Sequence, residues 1–175
     1  MAYDKMISYG DFVSMGKPQQ IETIKHIKRL RIHSRLPVVI PSRIDTQLLT
    51  WLSNSRLKPT MVLHINHANE IDVKLCQSVE KLKTAGITVL NQSVLLKGIN
   101  DSSQALINLS EKLFDAGIMP YYLHLLDPVQ GASHFDIPAD KALKIFSHIQ
   151  AELPGFLLPK LVQERAGETS KSLIL

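Results

Sequence analysis

The sequence predicts an α/β fold in which parallel strands alternate with helices along the chain. Apolar, β-rich runs alternate with helix-like segments about four times, with a spacing of roughly thirty residues, the size of a βα crossover unit. About four units are too few to close an eight-stranded barrel, which takes roughly 250 residues. We therefore expect an open or partial TIM-like barrel.

Each element follows from a local pattern. Period-two alternation marks the strands, and apolar residues at helical spacing mark the helices. Glycines at positions 86 and 117 are expected to end two helices, and Asp45 or Ser42 could cap another. The predicted strands are 30–33, 60–66, 87–96, 118–126 and, as a short one, 156–159. The predicted helices are 21–27, 44–52, 71–84, 104–115 and 139–152.

The composition is that of a globular protein rather than a membrane or disulfide-rich one. The chain has 175 residues, of which 45% are hydrophobic. It lacks an apolar run of about eighteen residues, so we expect no membrane span, and the apolar core of a signal peptide is missing. A single cysteine, Cys76, excludes a disulfide framework and a cysteine-cluster metal site within one chain. We expect a cytoplasmic protein.

Positive charge is concentrated early in the chain, where Lys25, Lys28, Arg29, Arg31 and Arg35 lie close together, and the net charge is +4. No aromatic residues interleave with these charges, and no common nucleic-acid-binding motif is present. A solvated or phosphate-facing surface therefore fits better than a nucleic-acid partner.

Polar side chains at the end of the strand 87–96 need hydrogen-bond partners. Asn91, Gln92 and Ser93 interrupt an otherwise apolar run. An unpaired buried amide costs about 1–3 kcal/mol, so these groups must bond to something. The partner is either a neighbouring loop or a ligand held at the strand end, where parallel α/β folds keep their sites.

Polar residues also recur on what we expect to be one face of successive strands. They are Arg31 and His33, His64 and Asn66, and Asn91 and Ser93. A solid barrel is filled with apolar side chains, so a polar inner face indicates a lumen that holds a charged ligand. The alternative is that these residues face outward.

The residues alone leave three function hypotheses open. Histidines and a carboxylate at strand ends, namely His33, His64, His67, His124 and Asp127, could bind zinc in a metal-dependent barrel hydrolase. Lys171 lies among small residues and could form a Schiff base, or it could be a solvated tail lysine. The third hypothesis is a non-catalytic binding module.

Several long runs resemble, in order and at family spacing, the lysine 2,3-aminomutase family. They are 32–41 (IHSRLPVVIP), 64–71 (HINHANEI), 91–101 (NQSVLLKGIND) and 120–127 (PYYLHLLD). The later runs 130–135 (QGASHF), 159–161 (PKL) and 167–171 (GETSK) look most like the bacterial branch that supplies β-lysine for modifying elongation factor P.

This resemblance implies a radical S-adenosylmethionine isomerase on a partial (βα)6 barrel, which converts L-α-lysine to β-lysine. It implies three cofactors: S-adenosylmethionine, pyridoxal phosphate and a 4Fe–4S cluster. It also implies lysine as a small-molecule substrate, no nucleic-acid or membrane partner, and a functional link to elongation factor P and its lysine ligase.

Site residues follow from the same resemblance. Lys171 matches the lysine that binds pyridoxal phosphate covalently, so it is both the catalytic and a cofactor-binding residue. Asp127 and Glu164 match the carboxylates that hold the side-chain ammonium of the substrate. The resemblance also implies that His64, Gln92 and Asp11 contact S-adenosylmethionine. Arg35 is a further cofactor-binding residue that it implies.

The departures from the family pattern define the expected domain organisation. The cluster motif Cys-x-x-x-Cys-x-x-Cys has no counterpart in this chain, so we expect no metal ligands here and no activity from the chain alone. Residues 1–25 are expected to be an irregular remnant of the N-terminal part of the barrel, 26–153 a partial barrel with strands three to six, and 154–175 a tail carrying the cofactor lysine. The exposed strand edge of a truncated barrel could pair with a second copy in a homo-oligomer.

Overall fold

The structure, a computed structural model, describes residues 3–8, 19–127, 131–164 and 171–174. Its strands form a seven-stranded sheet whose strand order follows chain order. The strands are β1 (Tyr3–Ser8), β2 (Ile27–Ser34), β3 (Lys58–His64), β4 (Thr88–Val94), β5 (Met119–His124), β6 (Lys160–Gln163) and β7 (Ser172–Leu173). The α-helices are α1 (Gln19–Glu22), α2 (Leu36–Val39), α3 (Thr46–Asn54), α4 (Val73–Thr84), α5 (Ser103–Asp115) and α6 (Ala139–Glu152), with 3-10 turns at Pro41–Arg43, Ala68–Glu70 and Ser133–Phe135. This alternation confirms the predicted α/β class.

Three strands and one helix differ from the sequence-based expectation. The predicted helix 21–27 is wrong beyond Glu22, because α1 ends there and β2 already begins at Ile27. β7 lies in the segment 154–175 that was expected to be a tail. β1 lies within the segment 1–25 that was expected to be irregular, and it pairs in parallel with β2. The short strand predicted at 156–159 is wrong, because the strand begins at Lys160 instead. Pro159 has no N–H to donate to a neighbouring strand. Upstream, the Leu157 N–H donates to the Pro154 carbonyl at 2.9 Å and closes a turn.

The chain divides into two compact units, and the first comprises Met1–His64 and Asp72–Leu90. Its strands β1, β2 and β3 are parallel, and the β2–β3 register sets Ile32 beside Met61, both of which are buried. The same register sets His33 beside Val62 on the opposite face. Arg29, Arg31 and His33 therefore share one face of β2, as the alternation predicts.

Helix ends lie where their residue types indicate. Asp45 caps α3, with its carboxylate accepting the Leu48 N–H at 2.8 Å. Gly86, beyond the end of α4, has φ of +76°, a left-handed conformation that glycine adopts without steric cost. Its N–H reaches the Lys83 carbonyl at 2.9 Å, and Gly117 ends α5 in the same way. Among the described residues, no helix is both long and apolar enough to cross a membrane.

The second unit comprises Ile65–Ile71 and Asn91–Leu175. Its core is built from apolar side chains of α5, α6, β5, β6 and the segments beside them: Leu95, Leu106, Leu123, Leu125, Ile137, Ala142, Ile145, Ile149, Leu153, Leu157 and Leu161. β5 and β6 are parallel, with His124 beside Val162. β7 runs antiparallel to β6. The domain boundaries inferred from sequence divide the chain differently, and they stay predictions.

A buried hydrogen-bond network explains two of the three polar residues on β4. The Asn91 side chain accepts the Ile65 N–H at 2.9 Å and donates to the Ile65 carbonyl at 3.0 Å. It also donates to Ser93 Oγ at 2.9 Å, and Ser93 donates to the same carbonyl at 2.8 Å. Asn91 and Ser93 therefore bond to a neighbouring loop, the structural alternative that the sequence left open.

Removing this network tests its contribution. Asn91→Ala leaves the buried Ile65 N–H without its acceptor, so we expect a loss of about 1–3 kcal/mol in the free energy of unfolding, measured by urea titration. Asn108→Ala is the matched control, because Asn108 is exposed and its side chain accepts a hydrogen bond from the Gln104 side chain of the same helix. Equal losses in the two variants would contradict the role of the network.

Candidate functional site

The candidate site centres on an ion pair between Lys171 and Glu164. Lys171 Nζ donates to Glu164 Oε1. The β6–β7 register pairs Val162 with Leu173 and Gln163 with Ser172, and one more step in this register sets Glu164 opposite Lys171. Directly opposed side chains of antiparallel strands lie close enough to interact, so the strand pairing itself brings these two charges together.

Two side chains of β5 complete the surroundings of the Lys171 ammonium group. His124 Nε2 lies 3.3 Å from Lys171 Nζ, and the Tyr122 ring centroid lies 5.6 Å from it. The two rings are edge to face with centroids 5.7 Å apart, and His124 is only 4% exposed. Tyr122 and His124 are two residues apart on a strand, so they share its face. The sequence analysis had placed His124 among zinc ligands and had not singled out Tyr122.

The electrostatics of the pair favour the charged carboxylate. The hydrogen bond from Lys171, followed by its positive charge, holds the pKa of Glu164 below its usual range; burial opposes this, and the charge of His124 adds a smaller lowering. The pair is open to water, with 28% of the Lys171 side chain and 55% of the Glu164 side chain exposed. Ion pairs this exposed contribute only about 0–1 kcal/mol to stability, so a competing ligand can replace either partner.

Asp127 and Gln92 each present a buried oxygen that has no hydrogen-bond partner among the described residues. These oxygens are Asp127 Oδ1 and Gln92 Oε1. Asp127 follows the end of β5 as Glu164 follows the end of β6, and the two strands are parallel neighbours. A buried acceptor without a donor costs about 1–3 kcal/mol, so its retention points to a donor that a ligand supplies. For Gln92, unlike Asn91, the ligand alternative stays a prediction.

Two other predicted cofactor residues, Arg35 and His64, are brought together in the first unit. Arg35 Nη1 donates to the His64 carbonyl at 3.1 Å. The His64 ring lies edge to face with the His33 ring, with centroids 6.0 Å apart. Asp11 lies outside the described residues.

The zinc hypothesis gains no support from the structure. Among the described residues, no group of three or more His, Cys, Asp or Glu side chains is placed to hold a metal ion. His67, one of the proposed ligands, instead begins a 3-10 turn, where its Nδ1 accepts the Asn69 N–H at 3.2 Å.

Comparison with known proteins gives close relatives over nearly the whole chain. It is 51% identical over 176 residues to an L-lysine 2,3-aminomutase of Escherichia coli (strain K12) and 54% identical over 155 residues to one of Haemophilus influenzae. These matches cover 97% and 89% of this chain. The chain is a homologue of the lysine 2,3-aminomutases. It spans about half the length of these relatives, 52% and 46%. No family model matches it.

Two solved structures share the fold of this chain. A radical SAM methyltransferase from Sphaerobacter thermophilus matches 90% of this chain and 48% of its own, with a TM-score of 0.62 and 14% identity. Streptococcus suis SuiB bound to S-adenosylmethionine matches 94% of this chain and 40% of its own, with a TM-score of 0.57 and 12% identity. At these identities the likeness shows the fold alone, and it confirms the predicted partial barrel.

The cofactors of the lysine 2,3-aminomutase family fit this chain unequally. A lysine beside a carboxylate and an imidazole is a donor set that suits pyridoxal phosphate, which binds enzymes through a lysine amine. A 4Fe–4S cluster needs cysteine thiolates, and the chain has one cysteine, Cys76, on α4. The residues present therefore do not fit the cluster.

Lys171→Met should raise the pKa of Glu164, because the hydrogen bond and charge of Lys171 are what lower it. The raised value should appear in an NMR titration of the carboxyl carbon. Since the native carboxyl is the stronger acid, the pair stabilises the fold above the usual pKa range of glutamate, and this contribution is lost as pH falls through the lowered pKa. Asp101 is the internal control: the hydrogen bond from Lys141 lowers its pKa, and this pKa should be the same in Lys171→Met. If the pKa of Glu164 is unchanged in Lys171→Met, the pairing is refuted.

Proposed function

We propose that this chain carries the lysine- and pyridoxal-phosphate-binding residues of a lysine 2,3-aminomutase, an isomerase that converts L-α-lysine to β-lysine. The observation that carries the proposal is the position of Lys171, which strand pairing holds against Glu164 and His124 beside the ends of two parallel strands. The parallel α/β architecture supports it as well, because such folds keep their sites at the carboxyl ends of strands.

Lys171 is the residue that would hold pyridoxal phosphate. When bound, pyridoxal phosphate supplies a carbonyl carbon to which an amino group attaches and an electron-accepting ring. Lys171 must release its ammonium proton to attach, and the neutral form of His124 has a ring nitrogen, Nε2, 3.3 Å from Lys171 Nζ that can accept it. The Tyr122 ring lies beside the same amine, with its centroid 5.6 Å from Lys171 Nζ.

Asp127 and Glu164 would hold the side-chain ammonium of the substrate lysine. A cation taken out of water needs anionic partners with good hydrogen-bond geometry. The buried Asp127 Oδ1 is without a donor among the described residues, and an ammonium group would supply one. Glu164 is already a carboxylate paired with an ammonium group, that of Lys171.

Gln92, His64 and Asp11 are proposed contacts of S-adenosylmethionine, and Arg35 is a proposed cofactor contact. For Gln92 the support is its buried Oε1, which lacks a donor among the described residues and could accept a ligand N–H. For the other three the support is the family resemblance of their sequence runs. No step of this proposal passes through the 4Fe–4S cluster, because the residues of this chain do not fit it.

The finer assignments rest on resemblance as well. We propose that the β-lysine serves elongation factor P, through its lysine ligase, because the later sequence runs look most like that bacterial branch. The test uses this chain complemented with the part of its relatives that it does not span. Supplying that enzyme with lysine, the ligase and elongation factor P should give the β-lysylated factor, detected by mass spectrometry. Unmodified elongation factor P would refute this assignment. Self-association through a strand edge and a cytoplasmic location stay predictions.

Pyridoxal phosphate labelling tests the central assignment. Incubating the chain with pyridoxal phosphate, reducing it with borohydride and mapping its peptides should place the dominant label on Lys171. In the part of the chain that the structure describes, the Lys171 amine lies against both Glu164 and His124. Lys171→Arg should remove this label. Lys141→Arg is the matched control and should keep the label on Lys171. Lys141 Nζ also pairs with a carboxylate, that of Asp101 at 2.8 Å, but this contact involves no histidine. Dominant label on another lysine, such as Lys160 at the start of β6, would overturn the proposal.

Cluster assembly gives a second test. Anaerobic reconstitution of this chain with iron and sulfide should yield no 4Fe–4S absorbance or paramagnetic signal, and under strong reductant no 5′-deoxyadenosine above the blank without protein. The reason is that a single thiol, Cys76, cannot supply the ligands of such a cluster. Cys76→Ala should therefore give the same absorbance, paramagnetic signal and 5′-deoxyadenosine yield as the unmodified chain. A cluster signal that disappears in Cys76→Ala would contradict the prediction.

A further inference from the structure

We infer that β2 and β3 carry a binding site for a phosphate group, formed by a basic face of three residues, Arg29, Arg31 and Lys58. The two arginines belong to the charge cluster for which the sequence indicates a solvated or phosphate-facing surface. The basic face lies in the first unit and is separate from the cofactor residues proposed there, because Arg35 follows the end of β2 and His64 is the last residue of β3. A site at this position is independent of the proposed function.

Strand pairing brings the three positive charges together. Arg29 and Arg31 are two residues apart on β2, so their side chains share a face and start about 6.6 Å apart. The parallel register sets Lys58 directly beside Arg29, and neighbouring strands are about 4.8 Å apart. Three cationic side chains therefore leave the sheet within about 8 Å of one another, and their long stems can close around one phosphate group.

The strands supply little negative charge to balance the basic face. β2 and β3 contain no acidic residue, and β1 contributes one to the register, Asp4 beside Arg29. Like charges at directly opposed positions of a sheet are destabilising, so the pairing of Arg29 with Lys58 favours a bound anion. Arg29 and Arg31 also make interactions within the protein. Because an arginine has five N–H donors, such interactions leave donors for a second partner.

Exposure decreases along the basic face from its amino-terminal end. Arg29 and Lys58 are exposed. Arg31 and its register neighbour Thr60 are half-buried. Val62, two residues further along β3, is fully buried. A small anion that enters between Arg29 and Lys58 therefore reaches the level of Arg31 and Thr60 and is stopped by the packed part of the sheet.

A phosphate group matches the donors of the basic face. Guanidinium groups bind phosphate through two parallel N–H···O bonds, and a lysine adds a compact positive charge. The hydroxyl of Thr60 can donate one further hydrogen bond. A single-stranded nucleic acid fits less well, because β2 and β3 contain no Phe, Tyr or Trp on which a base could stack. The ligand is therefore free phosphate or a small phosphate monoester.

Titration with inorganic phosphate at constant ionic strength tests the site. We expect saturable shifts of the Arg29 and Arg31 Nε–H signals in NMR spectra, with a dissociation constant in the millimolar range. Arg31→Met should weaken binding about tenfold, because it removes charge-assisted hydrogen bonds. Lys58→Met, at an exposed position, is the second variant in case Arg31→Met does not fold, and it should weaken binding about threefold.

Lys83→Met is the matched control and should leave phosphate binding unchanged. It removes one exposed positive charge from the same unit, at a lysine that pairs with Glu80 at 3.0 Å. Equal losses of binding in Lys83→Met and Lys58→Met would overturn the inference, because the loss would then follow the net charge alone. Shifts that do not saturate would overturn it as well.

Competing anions define what the basic face recognises. Sulfate should displace phosphate, because it has the same tetrahedral arrangement of oxygens, whereas acetate at equal ionic strength should not. Acetate that competes as well as sulfate would show a general positive surface and overturn the inference. Methyl phosphate distinguishes the two sources of the ligand: tighter binding than inorganic phosphate would identify a phosphate monoester, and weaker binding would identify the free ion.

Discussion

The antiparallel pairing of β7 with β6 is the constraint on which the candidate site depends. β7 has only two residues, yet its register fixes the position of Lys171 opposite Glu164. The pairing is extended by the Ile174 N–H, which donates to the Leu161 carbonyl at 3.0 Å, and the Ile174 side chain packs against the core. Without this anchor, Lys171 would be a solvated lysine near the end of the sequence, which is the alternative that the sequence could not exclude.

The polar residues at the strand ends divide into two groups by whether the protein itself satisfies them. Asn91 and Ser93 are hydrogen-bonded to the Ile65 backbone, so they stabilise the fold. The donors and acceptors used in these bonds are not available to a ligand. Gln92 and Asp127 keep a buried oxygen without a partner among the described residues. Because burying an unsatisfied acceptor opposes folding, these two residues carry the stronger indication of function, although Gln92 is adjacent in sequence to both structural residues.

The elements that the sequence predicted well are those set by local chemistry. The glycines that end α4 and α5 adopt the left-handed conformation that their position requires, and Asp45 caps α3 because its carboxylate reaches an N–H within the same turn. β6 was misplaced because Leu157, Leu158 and Leu161 are all apolar, and the strand boundary depends on which backbone finds a partner in β5. His124 was identified only as a metal candidate, because its neighbour Lys171 lies forty-seven residues away in sequence. Contacts at that separation follow from topology, and no local pattern encodes them.

The shared use of Glu164 has a thermodynamic consequence that does not depend on the chemistry of the reaction. If Lys171 and an alkylammonium ligand compete for one carboxylate, any group that draws Lys171 away must raise the affinity of Glu164 for the ligand. By linkage, the ligand must raise the availability of the Lys171 amine by the same factor. The factor is bounded by the strength of the pair, and an ion pair with 55% of its glutamate exposed is weak. The coupling is therefore a modest preference for loading the cofactor before the substrate. The final hold on the substrate must come from further contacts, for which the buried Asp127 oxygen is the best-placed candidate in this unit.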